Sequence, residues 1–215
     1  MLHEAWRRSH PEGGEEGAHR RDSGGVWAGA ERGRLRRDRA VEIVSDSAKA
    51  LEIVSRYYKG PVKYARAVLE RWPGSGAVVA YMGGEAVGAE IFYVVELAAA
   101  ACVHYYVAVA PEYRRRGVAS FLVNKVEELC GAGVYMATTT EDNAAALRLF
   151  RGLGYVGYRW GELPRGAREV LLKATCGYDD DVLLIKGGDP LAIAMHTQDV
   201  ERLWRETCLK PFLNL

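Results

Sequence analysis

The sequence predicts an α/β (mixed α+β) domain, in which helices flank a central sheet, followed by a C-terminal helical extension. Short apolar runs of strand length come between segments whose apolar residues recur at helical spacing. The runs on either side of Gly83-Gly84 are separated by a pair of residues typical of an antiparallel hairpin. Hydrophobic residues make up 49% of the 215 residues, which is enough for a sizeable core.

For the first half of the domain, the sequence predicts one strand, two helices and three further strands. Ser45-Asp46-Ser47 offers capping side chains for the first helix, and Gly60-Pro61 separates it from the second. Pro73 to Gly76 forms a turn into the next strand. The predicted elements are strands over 41–44, 77–82, 86–95 and 101–109, and helices over 48–58 and 62–72.

The second half predicts helices over 117–130 and 164–174, strands over 134–138 and 182–186, and a short helix that begins near Asn143 and stops at Gly154. Asp179 to Asp181 has no EF-hand spacing and is interpreted as a solvated turn. The 40–187 domain ends at a Gly-Gly-Asp-Pro boundary.

The extension over 188–215 contains one predicted helix, over 197–208. Val200, Leu203 and Trp204 lie on one face of that helix. Such a face packs on its own domain or on a second subunit, so a homodimer is one of the two arrangements we expect.

Residues 1–39 differ in composition from the rest of the chain. They are rich in Arg and Gly and contain only Leu2, Val26 and Leu35 as aliphatic Val, Leu or Ile residues. Such a segment buries too little apolar area to offset its ordering entropy, so we predict a flexible N-terminal tail. An incorrectly assigned start site and an arm that binds a nucleic acid or another partner are the alternative interpretations.

Composition excludes several classes of protein. The net charge of +1 argues against a nucleic-acid binder, and the absence of an 18-residue apolar run argues against a membrane span. We therefore expect a cytoplasmic protein. Its four cysteines form no CxxC or Cys/His cluster, so we expect no metal site. In an intracellular chain these cysteines are expected as free thiols, whereas a hyperthermophile source would allow disulfides among them.

The most informative segment is YYVAVAPEYRRRGVAS, over 105–120. An apolar strand leads into a turn with three arginines and a glycine, and a helix of small residues follows. Such a turn exposes backbone N–H groups at the positive end of a helix, which suits a phosphate or pyrophosphate. The alternative is an ordinary strand–helix turn with solvated arginines. The candidate ligand-binding residues of the turn are Arg114, Arg115, Arg116, Gly117, Val118, Ala119 and Ser120.

The pattern Arg114-x-x-Gly117-x-Ala119 after an apolar strand resembles the acetyl-CoA pyrophosphate loop of the GNAT superfamily of N-acetyltransferases. The segment 134–155 is similar to the second signature of that family: a strand, an Asn, and a short helix that ends near Leu-Gly-aromatic. The resemblance covers about residues 41–187. It implies a central mixed, mostly antiparallel sheet, acetyl-CoA as co-substrate, and transfer of an acetyl group to a primary amine of a small molecule or protein.

The resemblance also implies cofactor contacts. Val107 and Val109 match the residues whose backbone binds the pantetheine arm, and their side chains are equally suited to the core. Asn143 matches a residue near the cofactor, although a plain helix cap explains it as well. Ala146 and Phe150 lie on the helix that lines the pantetheine channel.

Acetyl transfer needs a base that removes a proton from the amine. The candidates are Glu96, expected near the mouth of the channel, and His104, with Glu90 and Glu141 as further carboxylates. The alternative for His104 is a hydrogen-bonded histidine of the sheet.

Many family members carry a tyrosine, which protonates the leaving thiolate, where this chain has Phe150. Tyr155 or Tyr105 replaces it, or the thiolate leaves unaided or with water. The missing tyrosine keeps a second hypothesis open, a regulatory module that binds acetyl-CoA without turnover. A third is a purely structural domain.

Overall fold

A computed structural model describes residues 41–215, and the tail predicted over 1–39 lies outside them. Within the described residues one sheet contains seven strands in the order β1-β2-β3-β4-β5-β7-β6. Only β4 and β5 pair in parallel, so the expected mixed, mostly antiparallel sheet is confirmed. The strands are β1 (Val41–Ser45), β2 (Ser75–Met82), β3 (Glu85–Glu96), β4 (Ala100–Val109), β5 (Val134–Thr139), β6 (Val156–Arg159) and β7 (Val182–Lys186).

Two of the helices begin at the side-chain caps Asp46, which the sequence predicted, and Thr197. Asp46 and Thr197 accept hydrogen bonds from backbone N–H groups three residues ahead, at 2.9 and 3.1 Å. The helices are α1 (Ser47–Tyr57), α2 (Lys63–Arg71), α3 (Val118–Cys130), α4 (Ala144–Gly152), α5 (Arg165–Thr175), α6 (Pro190–Ile193), α7 (Gln198–Leu203) and α8 (Lys210–Phe212), with a π-helical turn over Trp204–Leu209 between the last two. Among residues 41–215, no helix combines the length and hydropathy that crossing a membrane requires.

The strand β4 positions the site because its two edges differ. It pairs with β3 along its whole length, with one extra residue, Tyr105, between the pairs Phe92–His104 and Ile91–Tyr106. Its pairing with β5 covers only Ala101 to His104, and within the described structure residues 105–109 continue without a β5 partner. We call this opening between the two strands the β4–β5 gap.

The C-terminal extension packs against the domain that precedes it. Val200 and Leu203 are fully buried in one cluster with Val103 and Leu171. The Thr197 hydroxyl donates to the Glu96 carbonyl at 2.6 Å. The predicted docking of this face is therefore observed within one chain. Trp204 is only half-buried, with the Lys173 ammonium 4.7 Å from its ring centre.

All four cysteines are paired, so of the two states that the sequence left open the structure shows the disulfides. Cys102 of β4 is bonded to Cys130 at the end of α3, and Cys176 after α5 is bonded to Cys208. Their Cα atoms are 6.2 and 5.9 Å apart, within the range that a disulfide spans. The sequence separations of 28 and 32 residues close loops that restrict the unfolded chain by about 3–4 kcal/mol each.

The buried contacts of the extension predict its contribution to stability. Leu203→Ala should lower the free energy of unfolding by about 2–5 kcal/mol, because it leaves a cavity in the core. Trp204→Ala is the matched control and should have a smaller effect, since that ring remains partly in water. Urea unfolding of both variants measures the difference. Equal and small losses would show that the extension does not stabilise the domain.

Candidate active site

The turn after β4 is built to expose backbone donors. Arg115 and Gly117 adopt positive φ angles of 60° and 84°, and Gly117 is the N-cap of α3. The first N–H groups of a helix have no partner within that helix, so those of Val118 to Ser120 point out of its positive end. A Cβ placed on Gly117 would meet nothing within 4 Å, so the space in front of this helix end is open.

Two of the three arginines brace this turn. The Arg114 Nε atom donates to the Val109 carbonyl at 3.0 Å. The Arg116 guanidinium lies 5.2 Å from the centre of the Tyr113 ring. The turn therefore combines backbone donors with a positive charge close by, which is the arrangement an anionic phosphate requires.

The second signature lies on the other side of the gap. The Asn143 side chain accepts from the Ala146 N–H at 3.2 Å, so it caps α4 as the simpler interpretation required. Phe150, at the position of the missing tyrosine, is buried, with ring centres of His104 and Tyr155 at 5.8 and 5.0 Å. Direct cofactor contacts of Asn143, Ala146 and Phe150 remain predictions.

A buried chain of polar groups lies on the α3 face of the sheet. His104 Nδ1 and Glu90 Oε1 share a hydrogen bond, and both side chains are fully buried. His104 Nε2 lies 2.7 Å from the Tyr155 hydroxyl, which donates to Glu127 Oε1 at 2.8 Å. Lys186 Nζ completes the chain on Glu127 Oε2 at 2.6 Å. We call these five side chains the polar chain.

Burial changes the proton affinity of this group. It raises the pKa of Glu90 above its ordinary value, and the neighbouring His104 opposes that rise. Burial and the adjacent Glu127 carboxylate raise the pKa of the Tyr155 phenol, so this hydroxyl keeps its proton at neutral pH. Tyr155 is thus a neutral hydroxyl with two hydrogen-bond partners already in place.

The structure brings two of the three predicted catalytic residues together. His104 and Tyr155 are in direct contact, but Glu96 pairs with Ala100, at the end of β4 remote from the turn. The expected position of Glu96 at the channel mouth is therefore corrected by the register of the hairpin. Glu141 forms an exposed ion pair with Arg159. Sequence analysis missed Glu127 and Lys186, because only the packing of α3 and β7 brings them to Tyr155.

On the opposite face, the gap is lined by tyrosine rings and by one acidic side chain. The Tyr106 ring lies 4.7 Å from both Tyr58 and Tyr105, and its hydroxyl donates to the Pro61 carbonyl at 2.8 Å. Asp180 accepts a hydrogen bond from the Thr138 hydroxyl of β5 at 2.5 Å.

Asp180 is half-buried, and this burial raises its pKa. Asp179 and Asp181 are exposed as the sequence predicted for a solvated turn, and Asp180 departs from that prediction. The loop is a structured edge of the gap that holds a carboxyl group partly out of water.

Comparison with known proteins agrees with this geometry. Residues 46–155 match the acetyltransferase (GNAT) family. The chain belongs to this family, and it is therefore a GNAT acetyltransferase. None of the curated proteins matches it in sequence.

One solved structure shares the fold, and two others are similar to this chain. A GNAT-family acetyltransferase from Staphylococcus aureus is 14% identical, with 68% of this chain and 98% of that one covered and a TM-score of 0.52. The ribosomal-protein-S18-alanine N-acetyltransferase from Escherichia coli is 21% identical, with 68% and 91% covered and a TM-score of 0.48. Arabidopsis thaliana Naa50 with a bisubstrate analogue is 16% identical, with 68% and 97% covered and a TM-score of 0.48.

The raised pKa of Asp180 predicts a gain of stability on neutralisation. The charged Asp180 carboxylate is a partly buried negative charge, whereas Asp180→Asn keeps an acceptor for Thr138 without the charge. The variant should melt at a higher temperature than wild type at pH 7. The gain should disappear as the pH falls through the pKa of Asp180, where the wild-type carboxyl is also neutral. A gain that does not change with pH would contradict burial as its cause.

Proposed function

We propose that this acetyltransferase uses acetyl-CoA to acetylate a primary amine of a small molecule or protein. The observation that carries the proposal is the β4–β5 gap, which ends at the open helix terminus beside Gly117. A linear cofactor with a pyrophosphate at one end and a thioester at the other fits a cleft with a phosphate site at its mouth. Family membership supports the same co-substrate.

In this proposal each part of the gap has a separate role. The N–H groups of Val118 to Ser120 bind the pyrophosphate. The backbone over 105–109, which includes Val107 and Val109, binds the pantetheine arm in place of a β5 partner. The acetyl group then lies towards the closed end of the gap, near His104.

The acceptor amine enters on the tyrosine face. An amine with the pKa of a lysine side chain, about 10.4, arrives protonated and must lose a proton before it attacks. The Asp180 carboxyl and the tyrosine rings beside it suit a cationic group. Attack forms the N–C bond, breaks the C–S bond and releases CoA as a thiolate.

The proton for this thiolate does not come from Phe150, which has none to give. The Tyr155 hydroxyl is buried between His104 and Glu127. The remaining proton donors for the thiolate are water and Tyr105, which is the extra residue of β4 beside the gap.

A substitution in the turn tests cofactor binding. Gly117→Glu should abolish the binding of acetyl-CoA, because its carboxylate fills the open space and repels phosphate. Gly131→Glu is the matched control: Gly131 lies at the other end of the same helix, with a positive φ of 54° and open space for a Cβ. Calorimetry should show lost affinity in the first variant and wild-type affinity in the second. Unchanged affinity in a folded Gly117→Glu protein would place the pyrophosphate elsewhere.

Turnover is tested by thiol release from acetyl-CoA with a panel of primary amines. The panel contains polyamines, amino sugars, and peptides with a free N-terminus or an internal lysine. We expect release that depends on the amine and an acetylated product visible by mass spectrometry. Tight binding of acetyl-CoA without turnover of any amine would favour a regulatory module instead.

A further inference from the structure

One carboxyl group on the tyrosine face has a fixed position and, within the described structure, no counter-charge. Among residues 41–215, the Asp180 carboxyl has a single hydrogen-bond donor, the Thr138 hydroxyl, which reaches Oδ2 at 2.5 Å. Burial raises the pKa of this carboxyl, the Thr138 hydrogen bond opposes the rise, and the negative charges of Asp179 and Asp181 add to it. Charges that proteins withdraw from water are usually paired, so Asp180 can accept a cation from outside the chain.

The strand register places this carboxyl at the closed end of the β4–β5 gap. Ala137 forms the last pair, with His104, and Thr138 is the next residue along β5. Ala137 packs in one cluster with Val123 of α3, so the alternation of side chains along a strand turns Thr138 to the opposite face. The Asp180 carboxyl is therefore one hydrogen bond away from the point at which the gap opens, on the face where the acceptor enters.

Two tyrosines at the other edge of the gap face the same carboxyl. Tyr106 of β4 packs in one cluster with Ile53 of α1, and its ring centre is 4.7 Å from that of Tyr58. Burial raises the pKa of both phenols, and the Asp180 charge adds to the rise, so both rings are neutral at pH 7. An ammonium group bound here would have a carboxylate on one side and neutral aromatic rings on the other.

The backbone fixes the loop on both sides of Asp180. A Cβ on Gly177 would lie 2.8 Å from the Cγ2 atom of Thr138, so a side chain there would displace either Thr138 or the loop. After Asp180, the Asp181 N–H donates to the Thr139 carbonyl of β5 at 3.1 Å. The loop is thus held against β5, and it brings the carboxyl to Thr138.

We propose that Asp180 is the base of this acetyltransferase: it binds the acceptor ammonium at the closed end of the gap and removes the proton that prevents attack. The proposal rests on the acetyl transfer proposed above. Thr138 is a positioning residue, because its hydroxyl orients the carboxyl through Oδ2 and leaves Oδ1 for the amine. The tyrosine face is the side on which the acceptor arrives, so the base and the amine meet without crossing the sheet.

The proton steps balance. The ammonium gives one proton to Asp180, and the neutral nitrogen then attacks the acetyl carbon. As the N–C bond forms and the C–S bond breaks, a second nitrogen proton passes to the thiolate through one of the donors retained above. Asp180 releases its proton to solvent, so one ammonium and one acetyl-CoA give one amide, one CoA thiol and one proton. A site withdrawn from water favours the first step, because it disfavours both charged partners.

The assignment gives the rate a defined dependence on pH. Since only the carboxylate takes up a proton, kcat/KM should rise as the pH passes the pKa of Asp180, which burial raises above that of an exposed aspartate. Thr138→Val removes the hydrogen bond that lowers this pKa, so the rise should move to higher pH. The titratable groups that face Asp180 are Asp179 and Asp181 of its own loop, Tyr58 after α1, and Tyr106 of β4.

Kinetics of the full chain test the base, with acetyl-CoA and the best amine of the panel. Asp180→Asn should lower kcat about 100-fold or more, with unchanged affinity for acetyl-CoA by calorimetry. Asp179→Asn is the matched control: it removes the same charge from the exposed neighbouring residue and should keep the wild-type kcat. A raised KM with unchanged kcat in Asp180→Asn, or equal losses of kcat in both variants, would overturn the assignment.

An acceptor that is already neutral separates proton removal from binding. In a trifluoromethyl analogue of the best amine, electron withdrawal lowers the pKa of the nitrogen, so at pH 7 it needs no base before attack. The about 100-fold difference between wild type and Asp180→Asn should therefore nearly disappear with this analogue. An equal difference with both amines would overturn the role of Asp180 as base. Failure of the proposed function looks different, because wild type would then release no thiol with any amine.

Discussion

The structure depends on the point at which β4 and β5 stop pairing. Up to the pair His104–Ala137 the two strands share a parallel ladder, and beyond it β5 pairs only with β7 while β4 continues alone to Val109. A strand edge in the middle of a sheet leaves backbone groups that need partners. In this family member the β4–β5 gap has a tyrosine-lined face on one side and the polar chain on the other. The gap ends at the positive end of α3.

The polar chain shows how the domain tolerates ionisable groups in its core. Glu90 and His104 are fully buried, and their mutual contact compensates part of the desolvation that an isolated carboxylate would suffer. The polar chain ends at the ion pair between Glu127 and Lys186, and both side chains are partly exposed. The charged groups at this end are therefore in contact with solvent. The Oε2 atom of Glu90 is the exception, because it has no hydrogen-bond partner within the described structure.

The two disulfides hold the elements around the gap. Cys102 lies two residues before His104, and Cys130 lies three residues after Glu127, so this bridge fixes α3 against β4 beside the polar chain. The second bridge joins the end of α5 to the C-terminal extension, just before the loop that contains Asp180. Both faces of the gap are therefore connected covalently to neighbouring elements.

The sequence by itself determined the order of the main helices and strands, the helix caps at Asp46 and Asn143, and the turn at Gly117. These features depend on local periodicity, side chains that cap backbone within three residues, and a glycine conformation, all of which are local along the chain. The same local reasoning identified the family signatures. It also singled out His104 and Tyr155.

Only the tertiary structure decided which of the candidate residues meet. Tyr155 is separated from His104 by 51 residues, and Lys186 from Glu127 by 59, so no spacing in the sequence predicted these contacts. The register of the β3–β4 hairpin moved Glu96 away from the turn and placed Glu90 opposite Val107. Strand pairing and helix packing are long-range events, and for that reason they were not available from local patterns alone.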